Sequence, residues 1–137
     1  MRDVTPRNPR RQEAGSALVE FAITGLFFFM ITFSIMEGSR AIYYYNVLGS
    51  LAREGTRFAA VRGSTSGRAT TEAAVRAHLQ AKSMGLNPTV TVTWNPVTMA
   101  PNSTVTVLVQ HTFTTIVPIV SLPTMNMSAT AVGRVLQ

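Results

Sequence analysis

The chain has 137 residues, of which 46% are apolar and only 13% charged, and it contains no cysteine. That length suits one small domain and not comfortably two. The charged share is about half that of ordinary soluble domains and points to membrane or assembly contacts. Without cysteine there is no disulfide staple, thiol catalysis or thiolate metal site. The net charge of +6 is spread thinly. Arg2, Arg7, Arg10 and Arg11 face Asp3 and Glu13 near the start, and the other basic residues are scattered from Arg40 to Arg134. No basic block is long enough to track a phosphate backbone, so nucleic acid is not an expected partner.

Residues 1–15 are polar, carry Pro6 and Pro9, and are expected to be disordered. Residues 17–36 then form an apolar run with nothing more polar than Thr24, Thr32 and Ser34, apart from Glu20. At about 1.5 Å per residue such a run spans roughly 30 Å, the hydrocarbon thickness of a bilayer. Arginines ahead of the span, with no dense basic cluster just after it, favour a cytoplasmic N-terminus and an exported C-terminus. No proline occurs between Pro9 and Pro88, so nothing there breaks a helix covalently. Beyond Tyr44, apolar or small residues recur at Leu48, Leu51, Ala52, Gly55, Phe58 and Ala59, with Asn46, Ser50, Arg53 and Arg57 opposite. This period of 3.6 extends the span into an amphipathic half and predicts one helix from about Ala17 to Val61.

Gly63-Ser64-Thr65-Ser66-Gly67 reads as a flexible linker, since no Lys-Ser/Thr follows to make it a phosphate loop. Thr70 or Thr71 can cap a second helix with Glu72 in its first turn, and Val75, His78 and Leu79 follow at helical spacing up to Met84-Gly85. After Asn87-Pro88 the period becomes 2. Val90, Val92 and Trp94 alternate with threonines, as do Val105 and Val107, and residues 127–135 alternate more weakly. These runs predict about three strands, the first two an antiparallel hairpin across a loop of about eight residues. The fold class expected is α+β: a long N-terminal transmembrane and amphipathic helix, a short second helix and a small antiparallel sheet. Residues 1–15 would be a leader, 16–62 the long helix and 63–137 a small exported domain.

Glu20 is the charge that does not belong. An acidic residue at the centre of a spanning helix costs about 2.5–3.5 kcal/mol on insertion scales, so one kept within a span is a functional candidate. Its surroundings are specific: a short basic leader, Gly15, Ser16, three more residues, then Glu20-Phe21 at the head of an apolar helix. This pattern resembles the processing signature of type IV prepilins. Leu51-Ala52-Arg53-Glu54-Gly55-Thr56-Arg57 and the helix-then-strand order after it resemble the TadE-like pseudopilins of the Tad (Flp) pilus system.

The resemblance implies a pilin-like fold and cleavage between Gly15 and Ser16 by a membrane prepilin peptidase. It further implies that Glu20, followed by Phe21, pairs with the free N-terminal amine of a subunit. The implied location is the bacterial inner membrane, in single-pass topology, or the pilus itself. The implied partners are other pilins and the Tad assembly machinery, in adhesion or secretion. Major Flp pilins end soon after the apolar helix. The residues beyond Val61 therefore argue for a minor pilin or pseudopilin.

Arg53, Glu54 and Arg57 are either a solvated face with a modest ion pair one turn apart or a contact used in assembly. Tyr43, Tyr44 and Tyr45 suit an interfacial belt. His78 and His111 fall in different elements without ligand spacing, and are expected to be structural or exposed. No paired acids, nucleophile–base order or metal cluster stands out, so neither enzymatic activity nor a cofactor is expected. Ile116–Leu122, apolar but carrying Pro118, reads as a buried crossing over the sheet or as an apolar patch for a partner. Two other readings use the same span: an anchored interaction protein that is never cleaved, and a secreted domain. The second lacks a convincing small-x-small cleavage site near Met36.

Overall fold

The computed structural model describes residues 9–116 and 124–136, with side chains from Gly15 onward. Helix α1 runs unbroken from Pro9 to Ala60, 52 residues or about 78 Å. Its start lies earlier than expected, inside the polar stretch read as disordered. Pro9 stands at the first helical position, where its missing N–H goes unneeded and its fixed φ already suits the helix. Within the apolar half, the Thr32 hydroxyl donates to the Phe28 carbonyl and that of Ser34 to Met30. These two hydroxyls are thereby satisfied inside the helix, as a lipid environment requires.

The second half of α1 is amphipathic as the 3.6 period predicts. Leu48, Leu51, Ala52, Gly55 and Ala59 are buried, while Asn46, Ser50, Arg53 and Arg57 face out. Helix α2, Glu72–Lys82, is capped by the Thr71 side chain, which accepts from the Ala74 N–H at 3.2 Å, and it buries Val75 and Leu79. Its C-terminal turn is sharp, with Met84 at φ 53° and Gly85 at φ 87°. A methionine in this left-handed region costs about 1–2 kcal/mol.

The sheet has order β1-β2-β3, antiparallel throughout: β1 is Thr89–Asn95, β2 Thr104–Phe113 and β3 Met125–Arg134. Val90, Val92 and Trp94 of β1 and Val105, Val107 and Val109 of β2 point into the core, the threonines between them outward. Each valine so buried contributes about 1.5–3 kcal/mol by leaving water. Strand β2 runs on past the expected alternation to Phe113, because β3 continues to pair with it as far as Met125. Of the apolar segment after β2, only Ile116 lies among the described residues; 117–123 fall outside them.

The core lies between this sheet face and the two helices, α1 packing on β2 and β3 and α2 on α1 and β1. The far end of α1 is tied in by backbone bonds from Leu136 N–H to the Ala60 carbonyl, Thr70 to Arg62 and Ser64 to Met99. The glycine-bounded stretch after α1 is therefore held on the domain more firmly than a free linker.

Two glycines set how closely α1 approaches the rest. A Cβ on Gly55 would lie 2.8 Å from Leu79 Cδ1 and 3.1 Å from Val107 Cγ1. One on Gly133 of β3 would lie 2.6 Å from Thr56 Cγ2. The Thr56 hydroxyl sits between the Ala52 carbonyl at 2.9 Å and the Ala131 carbonyl of β3 at 3.2 Å, joining helix to edge strand. Gly133→Val should push α1 off β3 and destabilise the domain by about 1–3 kcal/mol. Thermal unfolding of the detergent-extracted chain would read this loss, with Gly49→Ala, whose Cβ would meet nothing closer than 3.7 Å, as the tolerated control.

Candidate functional site

Three places on α1 carry the residues of interest. At the first, Gly15, Ser16, Val19, Glu20, Ile23 and Thr24 line one shallow face of the helix. Ser16 and Glu20 are four apart, so the carboxylate lies one helical turn beyond the Ser16 backbone nitrogen. Glu20 is exposed, and among the described residues it has no hydrogen-bond or ion-pair partner. Phe21, beside it, is 77% exposed, so the chain's own domain covers neither residue.

The second place has little signature in the sequence beyond its being an acid. Glu37 directly follows the apolar span and is buried. It accepts from Arg40 Nη1 at 2.6 Å and from the Ile116 backbone N–H at 2.8 Å. The Arg40 guanidinium lies 5.5 Å from the Tyr44 ring centre and 5.1 Å from that of Phe113. The two rings also meet edge to face. An acid and a base three apart, followed by an aromatic four further on, was the available signal. Its partner, Phe113, is too distant in sequence for spacing to show.

The third place is Ala52–Arg57. Ala52 and Gly55 are core residues, Thr56 bonds to β3, and Glu54 reaches across to α2. Its Oε1 accepts from Lys82 Nζ at 2.6 Å and lies 3.1 Å from His78 Nε2. Since a carboxylate only accepts, that histidine nitrogen carries the hydrogen. Arg57 stands 3.8 Å from the other Glu54 oxygen and is largely exposed, as is Arg53. The pairing of Glu54 with α2 joins elements that no short-range pattern links. The His78 ring stacks on Phe58 at 4.1 Å, and Arg62 also lies over Phe58. His111 packs edge to face on Tyr44. Among the described residues, no group of three His, Asp or Glu is placed to hold a metal ion.

Taken together these features define a class of protein: one helix long and apolar enough to cross a membrane, continued without a break into a small α+β domain docked along its second half. Residues 15–57 match the TadE family model, described as TadE-like protein. That stretch opens on Gly15, closes on Arg57 and so takes in all three places. No curated protein and no solved structure matches the chain.

The Lys82 and His78 hydrogen bonds hold the Glu54 carboxyl well below its ordinary range, lowered from 4.5 to about 2, with further help from the charges of Lys82 and Arg57. Because the folded value lies below the unfolded one, the unfolded chain binds the extra proton between them. The contribution of Glu54 should be complete above pH 4.5 and lost as pH falls towards 2. Melting temperatures of the wild type and Glu54→Gln, compared from neutral pH down through this window, should converge as pH falls.

Proposed function

We propose that this chain is a membrane-anchored TadE-like pseudopilin that takes part in building a Tad (Flp) pilus. The observation that carries the reading is the coincidence of the family match with the motif: the match begins at Gly15, the last residue of the proposed leader, and includes Glu20. A prepilin peptidase would cut after Gly15 and leave Ser16 as the new N-terminus. The protein would stay in the inner membrane, its helix facing the cytoplasm at the N-terminal end and its domain outside. Its role there is structural rather than catalytic.

The chemistry asked of Glu20 is pairing. At short range in low dielectric an ammonium offsets much of the cost of placing a carboxylate in a membrane. The amine created at Ser16 is that ammonium, from the same subunit one turn away or from a neighbour. Helix packing of the cleaved segment would bring such neighbours together, and the apolar residues exposed along 17–36 supply the contact surface.

An uncleaved anchor is the competing reading, and one feature favours it: α1 is already helical at Gly15, whereas a peptidase requires its substrate locally extended. Glycine within a helix, however, costs about 1 kcal/mol relative to alanine, so this is where opening is least expensive.

Intact mass and N-terminal sequencing of the membrane-extracted protein, with and without the prepilin peptidase, separate the two readings. A chain starting at Ser16 only when the peptidase is present is the expected result; a chain that keeps its leader in both cases overturns cleavage. Gly15→Leu should retain the leader and abolish piliation. Glu20→Gln should insert and be cleaved normally yet fail to assemble, and normal piliation in that variant would remove the role given to Glu20.

A further inference from the structure

Past the end of the span, several large apolar side chains on different elements are exposed on the side of the domain nearest the span. Met84, 79% exposed, sits in the left-handed turn that ends α2, and the Tyr43 hydroxyl donates to its sulfur at 3.3 Å. Ile116, 71% exposed, is pinned at the last turn of the span by the bond from its N–H to Glu37. Met125, partly exposed, pairs across the sheet with Phe113, whose ring lies against Arg40. Three separate elements thus bring apolar groups to the base of the domain.

We propose that this base is a lipid-contacting surface, so that Tyr43, Met84, Ile116 and Met125 rest in the headgroup zone where the span leaves the bilayer. The inference depends on the reading of residues 17–36 as a membrane span. Geometry then limits the choice of occupant. Headgroups add about 5–8 Å beyond the hydrocarbon on each side. The helix rises about 1.5 Å per residue, so Tyr43 lies about 10 Å past Met36. Its side chain, like all side chains on a helix, leans back towards the N-terminus and therefore down into that zone. Ile116 is fixed nearer still, at the level of Glu37.

Because α1 is one helix, the domain docked on its second half has no joint at which to swing away. Charge agrees with a lipid neighbour. The only carboxylate described at the base, Glu37, is buried against Arg40 and Ile116. Glu54 lies 17 residues further along α1, about 25 Å from the surface. Glu72 begins α2, whose opposite end carries Met84.

The absence of cysteine allows the full chain to be tested with single environment-sensitive labels. These would be placed at Met84→Cys and Ile116→Cys, in vesicles of phosphatidylethanolamine and phosphatidylglycerol. Ile31→Cys marks the span, and Val97→Cys, 81% exposed in the β1–β2 loop, marks the far end. The expected result is blue-shifted emission at 84 and 116, quenched by a nitroxide near the head of the acyl chain, with the label at 97 reached only by aqueous iodide. Iodide access at 84 and 116 equal to that at 97, with the Ile31 label still quenched by lipid, would overturn the lipid-contacting base while leaving the span intact. Labels at 84 and 116 shielded from both quenchers would put a protein partner there and likewise overturn it. A label at 31 open to iodide would sink the span reading, and this inference with it.

Discussion

Everything in this molecule hangs on the continuity of one helix. Between Pro9 and Ala60 there is no proline after the first position, and every backbone group inside has a helical partner to reach. The apolar half and the docked half are therefore one rigid rod. The domain cannot choose its orientation independently of the span: turning the span about its axis turns the sheet with it. A short three-stranded sheet would be marginal alone. Here its apolar face is covered mainly by α1, with α2 over β1, so the helix that is long and apolar enough to cross a membrane also supplies part of the core.

Close approach makes that arrangement possible. Ala52, Gly55 and Ala59 present almost no side chain to the sheet, and Gly133 removes the one that would meet Thr56. Small residues let backbones come together and let Leu79 and Val107 fill the space. Around this dry seam the charged residues sort by what they can reach. Glu54 draws α2 in through Lys82 and His78, whereas Arg53 and Arg57 stay in solvent. The Ala-Arg-Glu-Gly-Thr-Arg segment thus has a use within the single chain. Its alanine, glycine and threonine fit helix to sheet, and its glutamate fits helix to helix.

How much of this was legible beforehand follows from range. Both helices, the sharp end of α2 and the inward valines of β1 and β2 were readable, because 3.6 and 2 are local periods and threonine–valine alternation is unambiguous. Strand β3 reads weakly because three of its inward positions, Ala129, Ala131 and Gly133, are small residues that let α1 lie close, and only Met127 is large. The early start of α1 does not show in the sequence because residues 9–15 are polar, the composition of a disordered leader, although Pro9 is a permitted helix start. The role of Glu37 is not legible in the sequence, since it bonds to a neighbour three residues on and to the backbone N–H of Ile116, and only the folded chain brings the second within reach.

The two carboxylates that bracket the span, Glu20 and Glu37, make the sharpest contrast in the chain. Each stands near one end of the run that is long and apolar enough to cross a membrane, and burying either carboxylate carries the same chemical cost. Glu37 meets that cost inside its own chain, with a guanidinium, a backbone N–H and aromatic cover from Tyr44 and Phe113 close by. Glu20 lies on a bare helix, exposed, with none of these among the described residues. The domain supplies a partner to one acid and, among the described residues, not to the other; under the proposed function the second finds its partner in a cleaved N-terminus or in another subunit. The same rigidity that keeps Glu37 satisfied keeps Glu20 out of the domain's reach, since no bend in α1 could bring them together. Intramolecular satisfaction at one end of the span and outward presentation at the other is the arrangement expected of a subunit whose fold is complete before it meets its neighbours.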